Sequence, residues 1–169
     1  MIRRRNCSGN MILESALWIP VMIMLILFTE QFGRITYTYY ALRNSLYTAG
    51  QYLSTQNGVN FCDLAGDPFI QAAINFGVTG TADGSQPPLI SNLTPSMIAV
   101  NIECIDPANP AVPGFCAAPC GGLGPGPHPD YVGVNIPSGY AVTPRMLYLT
   151  LQPILLSPQV TVPFRGTSL

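Results

Sequence analysis

Hydrophobic and polar positions follow two different rhythms along this chain. From Met11 to Phe28 the residues are apolar almost without a break. That is about 18 residues, the lower end of what crosses a bilayer as a helix. The one charge inside this run is Glu14. Further on, Phe32, Ile35, Tyr39, Leu42, Leu46, Ala49 and Leu53 recur in steps of three and four. Such spacing predicts a helix with a single apolar stripe. The first stop signal after both segments is Asn57-Gly58. One helix over residues 10–56 is therefore expected, roughly 70 Å long at about 1.5 Å per residue. Pro20 removes one backbone hydrogen bond from it and predicts a kink or a loosened turn. Glu30 and Arg34 are spaced as a helical i,i+4 ion pair. The stripe is expected to pack on the chain's own domain rather than in a coiled coil with another protein.

The remaining pattern is shorter and mixed. Residues 67–77 read as a second helix, with Asp67 as cap, Pro68 at the first helical position and Gly77 as stop. Phe69, Ala72, Ala73 and Phe76 are expected on its apolar face. Residues 97–105 alternate as a strand, with Ile98, Val100, Ile102 and Cys104 on one side. Tyr131, Val132, Val134 and Ile136 suggest a second strand, and Val160, Val162 and Phe164 a terminal one. Residues 146–156 are apolar but short and contain Pro153, so they predict a buried strand or short helix, not a second span. Residues 106–129 are a long loop rich in proline, glycine and cysteine. The fold class expected is α+β: a long N-terminal transmembrane-plus-amphipathic helix packed on a small antiparallel sheet, with a loop-rich, disulfide-bonded distal region.

Charge and candidate chemistry narrow the function. Charged residues are 9% of the chain and the formal net charge is −1, so the electrostatic footprint of a nucleic-acid binder is missing. Cys7 precedes the apolar run; Cys62, Cys104, Cys116 and Cys120 follow it. In an oxidising compartment those four make two disulfides, with three connectivities open. His128 is the single histidine. With Cys104, Cys116 and Cys120 it spells a Cys₃His zinc set, but the usual paired spacing is missing, and disulfides are the preferred reading. One histidine between two prolines supports no nucleophile–base arrangement. Gly121–Gly126 lacks the strand, helix and lysine of a phosphate loop. No cofactor, metal, small-molecule substrate or enzymatic activity is expected.

Arg3, Arg4 and Arg5 precede the span and favour a cytoplasmic N-terminus. No small-x-small site follows Phe28, so the apolar run reads as a retained anchor rather than a removed signal. The basic leader, Gly9, the hydrophobic helix and Glu14 as the fifth residue after Gly9 resemble the prepilins of type IV pili. The run Phe28-Thr-Glu-Gln-Phe-Gly-Arg34 is similar to TadE-like minor pilins of tight-adherence (Flp-type) systems. The resemblance covers about residues 3–55. Asn10 is polar, and Ser15 stands where an aromatic residue often follows the glutamate. What the resemblance implies is a leader over 1–9, cut between Gly9 and Asn10 by a prepilin peptidase. A transmembrane segment over 10–29, an amphipathic extension over 30–57 and an exported α+β domain over 58–169 would follow. It further implies that the Glu14 carboxylate pairs with the new ammonium of Asn10 on a neighbouring subunit. Other pilins, inner-membrane assembly proteins and the lipid bilayer are then the partners. The chain would be a single-pass inner-membrane protein with a periplasmic domain that enters or primes a pilus and serves adhesion. The alternative is an uncleaved, signal-anchored binding module for an envelope partner.

Overall fold

The computed structural model of the chain describes residues 8–105, 113–114, 116, 129–146, 149–150 and 152–168. Helix α1, Ser8–Ser54, runs unbroken through Pro20. Its apolar stripe is buried only in its second half. Leu42, Leu46, Ala49 and Leu53 are within 1% of complete burial, whereas Phe32 is 69% exposed and Tyr39 is half-exposed. The inward line instead continues through Thr38, Ile35 and buried Gln31. A stripe of constant spacing says which face is apolar, not which face the rest of the chain covers at each turn. No ion pair forms between Glu30 and Arg34.

Helix α2, Pro68–Thr79, lies against α1. Its start follows the expected cap: Asp67 Oδ1 accepts the backbone N–H groups of Phe69 and Ile70 at 2.8 and 3.1 Å. Its Oδ2 accepts the N–H of Asn60 at 2.9 Å, which ties the cap to the chain leaving α1. The stop differs from expectation. Gly77 is helical and buried, and the helix ends at Gly80, whose φ of 79° belongs to the left-handed region that glycine adopts without strain. Gly77 serves packing. A Cβ there would come within 2.8 Å of the Ala49 Cβ, and the Ser45 hydroxyl donates to the Gly77 carbonyl at 2.6 Å. The buried face of α2 is accordingly Ile70, Ala73, Ile74, Gly77 and Val78, while Phe69 is exposed. Phe76 stacks on Tyr52 of α1 at 5.0 Å between ring centres.

In chain order the strands are β1 Asn57–Val59, β2 Ala99–Ile105, β3 Pro113–Gly114, β4 Tyr131–Asn135 and β5 Tyr140–Val142. They continue as β6 Arg145–Met146, β7 Leu149–Thr150, β8 Ile154–Leu156, β9 Gln159–Pro163 and β10 Thr167–Ser168. A 3₁₀ turn, Pro95–Met97, leads into β2. The main sheet is antiparallel in the order β3-β2-β4-β9. Strand β9 alternates exposed and buried residues, so Val160 and Val162 face the core with Val132, Val134 and α1. Strands β5–β8 and β6–β7 form small antiparallel pairs, and β1–β10 a short parallel one. The described residues between 146 and 156 thus belong to small strand pairs. Ile154 and Leu155 are exposed there, against the expected burial.

Strand β9 travels in the same direction as α1. Val162 faces Gly50, and the Arg165 N–H donates to the Ser54 carbonyl at 2.9 Å. Antiparallel β4 and β2 then fix the two ends of the domain. Asn135, Gln159 and Ala99 lie toward the apolar half of α1; Tyr131, Asp130 and Cys104 lie at the far end. There β3 folds back on β2, Cys104 opposite Gly114, and Cys104 is bonded to Cys116 with Cα atoms 4.9 Å apart. Cys62 is disulfide-bonded too. Cys7, Cys120 and His128 lie outside the described residues, as does most of the 106–129 loop.

Non-reducing peptide mapping should recover Cys104 and Cys116 as one linked pair and Cys62 joined to Cys120, the remaining cysteine after the span. Replacing Cys104 and Cys116 by serine should lower stability by about 2–4 kcal/mol, the usual effect of closing a short loop. A free thiol on Cys62 would contradict this assignment.

Candidate functional site

The feature that needs a function is the first half of α1. Residues 14–30 are exposed throughout except for half-buried Leu27. They include Leu17, Trp18, Ile19, Met22, Ile23 and Leu25. Water does not tolerate a continuous apolar cylinder of this size; exposed patches beyond a few hundred Å² mark interaction or membrane surfaces. Among the described residues this is the one helix long and apolar enough to cross a membrane. Its backbone is suited to that place, since a helix satisfies its own polar groups. Thr29 returns its hydroxyl to the Leu25 carbonyl at 2.8 Å, so even this polar side chain is satisfied within the helix.

Gly9 and Asn10 occupy the first turn of α1, and Glu14 sits one turn later, exposed. Asn10 and Glu14 are four residues apart on one helix and so share a face. The structure separates them widely from Cys104 and Cys116, which lie at the far end of the domain. Among the described residues, no group of three or more His, Cys, Asp or Glu side chains is placed to hold a metal ion. Asp83, in the turn after α2, is held below the usual carboxylate range. The main cause is the Ser85 backbone N–H, followed by the Thr81 and Ser85 hydroxyls. It lies in an exposed turn and takes no part in the helix surface.

Sequence reasoning overlooked one part of the site. Between α1 and the domain, next to the apolar half, lies a cavity of about 570 Å³ that includes Arg34 and Tyr37. Its far wall is residues 89–92 and 140–143. The Tyr140 hydroxyl donates to the Ser91 carbonyl and holds these two segments together. Only the fold brings them beside Arg34, so no local signal announced the cavity.

Exposed apolar half, domain-bound half and the Phe28–Arg34 junction all fall within one recognisable segment. Residues 9–51 match the family described as TadE-like protein. The match ends three residues before α1 does, so it covers the helix, including the half that packs in the core, and leaves α2 and the sheet outside. No curated protein and no solved structure matches the chain. The match suggests a protein associated with the tight-adherence pilus. The TadE-like helix here is a continuous rod: its first half is bare and its second half is the spine of the domain.

Proposed function

We propose that this chain is a minor pilin or pilus-assembly subunit of a tight-adherence pilus. The first half of α1 anchors it in the inner membrane with the N-terminus cytoplasmic. A prepilin peptidase cuts between Gly9 and Asn10. Glu14 then pairs with the freed Asn10 ammonium of a neighbouring subunit, and the domain, with its disulfide-bonded far end, faces the periplasm or the fibre surface. It acts in assembly and adhesion, with no catalytic role. The single observation that carries this reading is the TadE-like match over an exposed apolar helix that passes without a break into the domain. An uncleaved signal-anchored binding module is the competing reading, and the cut separates the two.

Processing has an unusually clean readout, because the chain contains no lysine. The α-amino group is its only primary amine. Co-expression with a prepilin peptidase should move that amine from Met1 to Asn10, as read by N-terminal sequencing or amine labelling. Gly9→Leu should block the move. A mature protein that still starts at Met1 in its native host would exclude the pilin reading in favour of the anchored module.

A further inference from the structure

We propose that the cavity at Arg34 holds the phosphate of a bilayer phospholipid headgroup, so that the domain is seated on the membrane surface and not merely tethered to it. The inference rests on reading the first half of α1 as a membrane anchor; it goes beyond the assignment to a pilus.

Three observations converge on it. The first is depth. Residues 15–29 carry no charge, and Glu30 is the first charged group after them. Arg34 lies four residues beyond Glu30, about 6 Å along the helix at about 1.5 Å per residue. The headgroup layer on each side of the hydrocarbon core is roughly 5–8 Å thick. When the core ends at Thr29, the Arg34 guanidinium is therefore at the level of the phosphates. Arg43 is nine residues further along, about 13 Å, and lies beyond that layer.

The second is charge. Arg34 and Arg43 are the only Lys or Arg residues between positions 6 and 144. The described lining of the cavity contains no carboxylate, and the Arg34 guanidinium makes no ion pair with any described residue. A fork of five donors without an anionic partner suits a phosphate, which accepts two of them at once. The third is the wall. Ser91, Asn92, Tyr140 and Thr143 bring polar groups to the same space, and Leu89 and Val142 supply an apolar margin. Tyr37, three residues after Arg34 and largely exposed, gives the amphipathic ring common at the interface between lipid and water. An acyl glycerophosphate meets each of these: phosphate on Arg34, glycerol on the hydroxyls, chains running back along the bare half of α1.

The test is native mass spectrometry of the full chain in detergent, with phosphatidylglycerol, diacylglycerol of the same chains, or inorganic phosphate added. Wild type and Arg43→Gln should retain phosphatidylglycerol. Arg34→Gln should retain about tenfold less, the scale of one lost charge-assisted bidentate contact, and Arg34→Lys should recover part of the loss. Diacylglycerol should not be retained, and inorganic phosphate should not displace the lipid. Equal retention by Arg34→Gln, an equal loss in Arg43→Gln, or equal retention of diacylglycerol would overturn the site. Binding of inorganic phosphate as tight as the lipid would overturn the lipid as its source. Carbonate extraction of the same variants from membranes reports the anchor separately. Loss of lipid retention with normal anchoring therefore belongs to Arg34, and failed anchoring belongs to α1.

Discussion

Leu46→Ala should destabilise the domain by about 2–5 kcal/mol, a large part of what a domain of this size possesses. Leu46 is completely buried, on the turn of α1 that lies between the α2 contact at Ser45 and Ala49 and the sheet contact at Gly50. It belongs to the same cluster as Leu42, Leu53, Ile70, Val132 and Val134. Removing its three outer carbons leaves a cavity that neither layer is free to fill. Gly77 already presses α2 against Ala49, and Val162 already meets Gly50. Tyr47 is the control. It is the next residue, half-exposed on the outer side of the helix, and Tyr47→Ala should change stability by no more than about 0.5 kcal/mol. Chemical denaturation of the domain, released by proteolysis and with disulfides intact, measures both. Similar costs for the two variants would mean that the α1 stripe does not organise the core.

Glu14→Gln should leave insertion and cleavage intact and sharply reduce incorporation into filaments. An acid within an apolar span costs insertion energy, about 2.5–3.5 kcal/mol at the centre and less near its end. The helix is therefore a better anchor without it, and the reason for it must lie outside the single chain. Cleavage before Asn10 would create an ammonium four residues away, near enough to pair within one helix. Pairing between subunits follows from the proposed pilin role, in which helices pack and water leaves. An unpaired carboxylate or ammonium there costs several kcal/mol, so one axial register is preferred. The missing lysines sharpen the test. Carbodiimide joins carboxylates to amines with no spacer, and the only amine is the N-terminus. A cross-linked dimer in sheared filaments should map to Asn10 of one copy and Glu14 of the next, and should vanish in Glu14→Gln. Normal filament incorporation of the variant would make Glu14 a bystander.

The order of elements was readable because it depends on local chemistry. Asp67-Pro68 starts a helix wherever it is placed, since the carboxylate reaches its own chain's N–H groups. The alternation in Val160–Val162 requires a strand with one buried face. The apolar run before Glu30 and its TadE-like continuation are likewise properties of the chain alone, because hydrophobicity over that length needs no partner to be recognised.

Distances between remote segments decided the rest. Gly77 resembles a helix stop by composition, yet its missing Cβ is needed by a second helix, and the stop passes to Gly80. Phe32 and Tyr39 continue the stripe by count, but the face turned inward there runs through Thr38, Ile35 and Gln31 instead. The pairing of Cys104 with Cys116 was one of several possibilities until β3 folded back onto β2. By itself the sequence determined that there is one long helix with a bare apolar half, followed by a small mixed domain. Tertiary structure alone decided which residues of that helix the domain covers, which cysteines meet, and that Arg34 faces a cavity. Periodicity describes a residue's own neighbours, whereas burial and charge partners depend on what the rest of the chain brings alongside.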